Sequence, residues 1–104
     1  MKIPSPPPRF AFDPCPAAQA FRFRDGASAR SLHELHERLR SSAVADLVAF
    51  HRGHFAPWLR DVVGDAPLAR RVEDIAASGA VPDALQDALR GLCATRLQEL
   101  GAAR

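Results

Sequence analysis

Four histidines stand in two pairs three residues apart, His33/His36 and His51/His54. On a helix, positions i and i+3 are neighbours, so each pair could share a metal ion or sense pH. Projected from Leu32, His36 flanks the apolar stripe of its helix, whereas His33 points about 100° away from that stripe. This divergence weakens chelation, no third ligand is near in sequence, and a solvated helix face is the expectation for the pair. His51 falls on an apolar stripe with Val44, Leu47 and Val48. A buried neutral imidazole there needs partners for both nitrogens. We expect a core histidine bonded to backbone or to an acid. His54 occupies the N-cap position before Phe55, a task that Asp, Asn, Ser or Thr performs better. Metal or small-ligand binding by His51 and His54, with His36 or His33, is therefore the alternative reading, and no cofactor is expected.

Signatures of catalysis are absent from the sequence. It has no phosphate loop, no carboxylate pair in an apolar setting, and no activated Ser or Cys motif. Asp61 and Asp65 bracket Val62-Val63-Gly64 as a compact acidic corner, which helix capping and a solvated face explain; a cation or an arginine of a partner is the alternative. Cys15 and Cys93 match no zinc or redox spacing. Cys93 lies at helical spacing from Leu85, Leu89 and Leu92, as a small buried hydrophobe would. The chain reads as non-enzymatic.

Composition sets the scale of any site. Hydrophobic residues make up 47% of the 104, but twenty are Ala, two Cys and one Met, leaving 26 bulky side chains of Leu, Val, Ile, Phe and Trp. That suffices for one modest core and not for two. Thirteen Arg and one Lys face 12 acids, for a net charge of +2. Residues 1–24 hold an excess of +3 through Lys2, Arg9, Arg22 and Arg24, and the remainder sums to −1. Acids spread along the rest of the chain argue against a nucleic-acid stripe, which makes nucleic-acid binding by the basic N-terminal arm the less favoured reading. No apolar run approaches the roughly 20 residues of a membrane span. No N-terminal apolar stretch could act as an export signal, so a reduced, cytoplasmic setting is expected.

Elements must then position these residues. Six of nine prolines lie in residues 1–20, which predicts a proline-rich tail, extended or disordered, outside the domain of residues 21–104. Phe10 and Phe12 in that tail could dock on a sheet edge or groove, in this molecule or in another. Phe21-Arg22-Phe23-Arg24 alternates, and Asp25-Gly26 follows, predicting a hairpin with a type I′ turn. Phe21 and Phe23 would face the core and the two arginines water. Ser31 and Glu34 form a capping box ahead of Leu32, Leu35 and Leu39. A second helix follows Ser41-Ser42 and stops at Gly53. A third carries Phe55, Trp58, Leu59, Val62 and Val63, with Pro57 in its first turn and Gly64 at its end. Asp65 caps a fourth helix, with Leu68, Val72 and Ile75 inward. The last runs from Val81-Pro82 through Leu100. The fold expected is α+β and predominantly α: an N-terminal β-hairpin packed on a bundle of about five short helices, with Phe21, Phe23, Leu35, His51, Phe55, Trp58, Leu59, Val62 and Leu68 in the core.

The string Phe21-Arg-Phe-Arg-Asp-Gly26, then Ser31-Leu32 and Glu34-Leu35, resembles the opening of a family of small uncharacterised prokaryotic domains catalogued as domain of unknown function 5752. Phe50-His51, Phe55, Trp58-Leu59, Asp61-Val62, Gly64-Asp65 and Leu68-Ala69 continue the likeness, which spans residues 21–75. His54 departs from it, since the family pattern carries Asp there. The resemblance implies an accessory domain, alone or attached to other modules, with no established activity. Together these readings favour a non-enzymatic protein-interaction module, self-associating or binding another protein. Phe10, Phe12, Arg22 and Arg24 are its candidate contact residues.

Overall fold

The computed structural model of the chain describes residues 8–102, and the first of its two strands comes from the Phe-Arg-Phe-Arg alternation. β1 (Phe21–Arg22) and β2 (Ser28–Ala29) pair antiparallel, with Phe21 opposite Ala29 and Arg22 opposite Ser28. The turn differs from the type I′ expected. Gly26 has φ +95°, and no non-glycine residue among those described has positive φ, which leaves Asp25 outside the left-handed region. The Phe23 amide donates to Ala27 O at 2.8 Å and the Gly26 amide to Phe23 O at 3.0 Å. This is a three-residue loop with a glycine bulge. Asp25 serves it through its side chain, as Oδ1 accepts the Ala27 amide at 2.9 Å.

The hairpin is followed by five helices: α1 (Leu32–Leu39), α2 (Ala45–Phe50), α3 (Phe55–Trp58), α4 (Ala66–Ala77) and α5 (Pro82–Ala102). The architecture is α+β and predominantly helical. The last helix, α5, is the long one at 21 residues, and it packs against α1, α2 and α4. Ser31 caps α1, with Oγ accepting the Glu34 amide at 3.0 Å. The Glu34 carboxylate reaches back past the N-cap to the Arg30 amide at 3.1 Å. At the far end of α1, Gln86 from α5 donates Nε2 to Leu39 O at 2.8 Å and to Ser41 O at 2.6 Å. A buried amide thus satisfies carbonyls that the helix itself leaves orphaned.

A 3-10 turn, Ser42–Val44, leads into α2. After α3 the chain widens into a π turn, Leu59–Val63, closed by Gly64 at φ +84°. One extra residue per turn rotates the apolar face. Val63 is therefore fully buried, while Val62, expected in the core, is half-buried. Phe21, Phe23, Leu35, His51, Phe55, Trp58, Leu59 and Leu68 are buried. Cys93 is wholly buried, and desolvation, then the nearby Asp65 charge, pushes its thiol up to about 12.

The N-terminal segment corrects the reading of a detached tail. From Arg9 onward it straps the domain; the part of that expectation falling on residues 1–7 lies outside the described residues. Phe10 O accepts the Leu32 amide at 3.0 Å and Ala11 O the His33 amide at 2.9 Å, which caps the first turn of α1. Arg9 N–H donates to Val63 O at 3.0 Å and Cys15 N–H to Arg30 O at 2.6 Å. Arg30 Nε returns to Cys15 O at 2.7 Å, and Trp58 Nε1 donates to Gln19 O at 2.8 Å. Proline lacks a donor, not an acceptor, and the strap serves α1 and Trp58 through its carbonyls. Ala11 and Cys15 are buried beneath it.

Deleting residues 1–16 should therefore lower the Tm by more than about 10 °C, since 1 kcal/mol moves the Tm of a domain this small by roughly 4–8 °C. Thermal unfolding followed by circular dichroism checks this. A truncated chain melting within a few degrees of the intact one would restore the detached tail.

Candidate functional site

The C-terminal end of α2 is where titratable groups converge. His51 follows the last residue of α2, and its ring sits among aromatic neighbours. Ring centroids lie at 4.9 Å for Phe50, 5.4 Å for Phe21, 5.7 Å for Phe23 and 6.3 Å for Phe55. Its Nε2 accepts the Arg24 amide of the hairpin loop at 3.0 Å. Its Nδ1 stands 3.0 Å from Nδ1 of His54. An amide nitrogen can only donate, so Nε2 of His51 must carry a lone pair. The single proton of the neutral ring is then on Nδ1, which donates to His54. Its acceptor, Nδ1 of His54, must also be unprotonated. The network assigns both tautomers.

This answers what His54 does in place of a cap. It makes no side-chain cap hydrogen bond to α3 and pairs with His51 instead. It also bears on metal binding. A ligating histidine usually donates its second ring N–H to a carbonyl or carboxylate. His51 meets a donor there, so loading Nδ1 with a metal would set an Nε2 proton against the Arg24 amide. The pair is arranged around a proton, not around a cation. Burial, followed by the charge of His54, lowers the His51 pKa below its ordinary 6.5, with Asp25 opposing and Arg24 adding to the effect.

The other pair lines a groove of about 450 Å³ between α1 and α5, shared with Glu37, Ala94, Thr95, Leu97 and Gln98. Glu37 Oε1 lies 4.0 Å from His33 Nε2 and 4.0 Å from His36 Nδ1. The same carboxylate is held by Arg40 at 3.2 Å. Among the described residues, no group of three or more His, Cys, Asp or Glu has the geometry to hold a metal. Burial lowers the His36 pKa, the Glu37 charge opposing it.

The four expected contact residues divide. Phe10 and Phe12 are half-buried and packed against the core by the strap. Arg22 is exposed, with a long hydrogen bond of 3.4 Å to Ala17 O. Arg24 is exposed and lays its guanidinium 4.8 Å from the centre of the Phe50 ring. Phe50 itself is 53% exposed. Residue-by-residue reading passed over it as a contact residue, although the signal was present. It comes two residues after Val48, roughly 200° round the helix and off the buried stripe.

The acidic corner is resolved within the chain. Asp65 is fully buried, its Oδ1 accepting the Leu68 amide at 3.1 Å and its Oδ2 accepting Arg96 Nε at 2.7 Å. The arginine that the alternative assigned to a partner is Arg96 of α5. Partial burial disfavours its charge, but Asp65 and then Glu99 outweigh that and raise its pKa. Asp61 stays exposed beside Arg60.

No protein-family model, no curated protein and no solved structure matches the chain.

Two outcomes follow from these charges. His51 and His36 hold folded pKa values below 6.5, so the unfolded chain takes up protons first as pH falls. Their contribution is present above 6.5 and is lost below it. The Tm should fall between about pH 7.5 and about pH 5, and fall less in His51→Gln. An identical fall in that variant would remove His51 as a source. Arg96→Met should cost about 3 kcal/mol by urea unfolding, because it strands a buried carboxylate. Adding Asp65→Asn should recover most of the loss, since Asn still caps α4.

Proposed function

We propose that the chain is a non-catalytic protein-interaction module whose contact surface is the corner where the hairpin loop meets the end of α2. The observation that carries this is the Phe50 ring, half out of the protein, with Arg24 over it and His54 at 6.4 Å. Aromatic and arginine side chains supply most of the energy at protein interfaces, provided that both are already ordered. Arg24 is ordered here by its backbone bond to His51, and Phe50 by the helix that carries it. The second exposed large hydrophobic among the described residues, Val81, lies where α5 begins.

The charge distribution supports a protein partner over nucleic acid. Six guanidiniums are engaged by carboxylates: Arg38 by Asp25, Arg40 by Glu37, Arg60 by Glu73, Arg71 by Glu99, Arg90 by Asp87 and Arg96 by Asp65. Cations interleaved with acids in this way leave little counterion release to drive phosphate binding. No helix among the described residues is long and apolar enough to cross a membrane.

A photo-crosslinking phenylalanine analogue at position 50, compared with one at exposed Arg70 of α4, tests the reading in cells that make the protein. Position 50 should give a discrete product heavier than the 11.3 kDa chain, and Arg24→Glu should weaken it. Phe50→Ser should abolish binding while changing stability by no more than about 0.5 kcal/mol. Equal products from positions 50 and 70 would overturn the assignment.

A further inference from the structure

We propose that the Arg24–His51–His54 chain is an acid-released latch that fastens the hairpin loop to the end of α2. The argument is one of proton sites. In the neutral arrangement the pair offers two inward lone pairs, Nε2 of His51 and Nδ1 of His54, and each accepts a hydrogen bond. Any proton added at either position must displace a bond.

In the neutral His51 ring Nδ1 already carries the proton, so one taken up by this ring goes to Nε2 and sets an N–H against the Arg24 amide. The latch then parts. Of the charged groups facing His51, Arg24 from the hairpin repels the new charge. Asp25 attracts it but is already bonded to Arg38 of α1, whose guanidinium lies 5.5 Å from the Phe23 ring. Phe50 on α2 and Phe55 on α3 meet the His51 ring in T-shaped contacts and bring no carboxylate.

Release is local, because Phe21 remains stacked on Phe55 at 4.8 Å and holds the strands in place. The moving part is Arg24–Gly26, and with it the guanidinium over Phe50. Acid would therefore alter the surface proposed above, but the latch itself stands apart from that surface and is tested without any partner.

The test is nuclear magnetic resonance of the full chain, with ring-nitrogen spectra to read tautomers and amide exchange to read the bond. At about pH 8, His51 should be the Nδ1–H tautomer and the Arg24 amide protected; by about pH 5, its protection should fall at least tenfold after correction for intrinsic rate, while that of Leu35 in α1 holds. His51→Gln retains an acceptor that does not titrate, so Arg24 should be equally protected at both pH values. An Nε2–H tautomer for His51 at the higher pH, Arg24 protection unchanged by acid in the wild type, or a loss shared with Leu35 would each overturn the latch. Should His51→Gln fail to fold, the wild-type tautomer and exchange data decide alone.

Discussion

The stacking of Phe21 on Phe55, centroids 4.8 Å apart and rings within 15° of parallel, joins the hairpin to the helices. A ribbon of two-residue strands has almost no stability of its own and survives only against another apolar surface. Trp58 and Phe23 meet the same Phe21 ring at 5.7 Å and 5.0 Å, so the ribbon is fixed in angle as well as in depth. The strap depends on this placement, since Arg30, which bonds Cys15 twice, directly follows β2. The latch depends on it too, because Arg24 reaches His51 only if the loop is held over the end of α2.

A second theme is how late segments complete early ones. Gln86 and Arg96 on α5 serve carbonyls after α1 and the cap of α4, while Trp58 and His51 serve the strap and the hairpin loop. In each case a side chain satisfies a backbone group, or neutralises a cap, far away in sequence. Buried polar groups are costly when unpaired, so such bonds select one packing among many that would bury the same leucines. A chain with 26 bulky side chains of Leu, Val, Ile, Phe and Trp has little hydrophobic surplus, which makes that selection important.

The string of motif residues between Phe21 and Ala69 is one that the fold uses structurally. Phe21 and Phe23 make the aromatic junction, Asp25 and Gly26 the bulged turn, Ser31 a cap, Gly64 a left-handed closure and Asp65 a buried ion pair. Each position has a physical task without appeal to a binding partner. Phe50 is the exception in that string, an exposed ring with no structural task beyond its contacts to Arg24 and the histidines.

Periodicity and caps alone determined the helical content, the order of elements, the burial of Leu35, Phe55 and Leu68 and the termini at Ser31, Gly64 and Asp65, because these are local properties of a few neighbouring residues. The stripe also placed His51 inside. Four things were decided only by tertiary structure. The proline-rich segment became a strap because its carbonyls met the open amides of α1, a match between residues more than twenty apart. Val62 came out half-buried beside the buried Val63 because the chain widens there into a π turn, which a period of 3.6 does not anticipate. Asp65 found Arg96 once α5 folded back on α4. His54 left its cap for His51, since the bond accepted from Arg24 fixed the proton on the one ring nitrogen that faces it. Apart from the widened turn, each of these depends on a donor meeting an acceptor, and sequence spacing carries no record of which groups will meet.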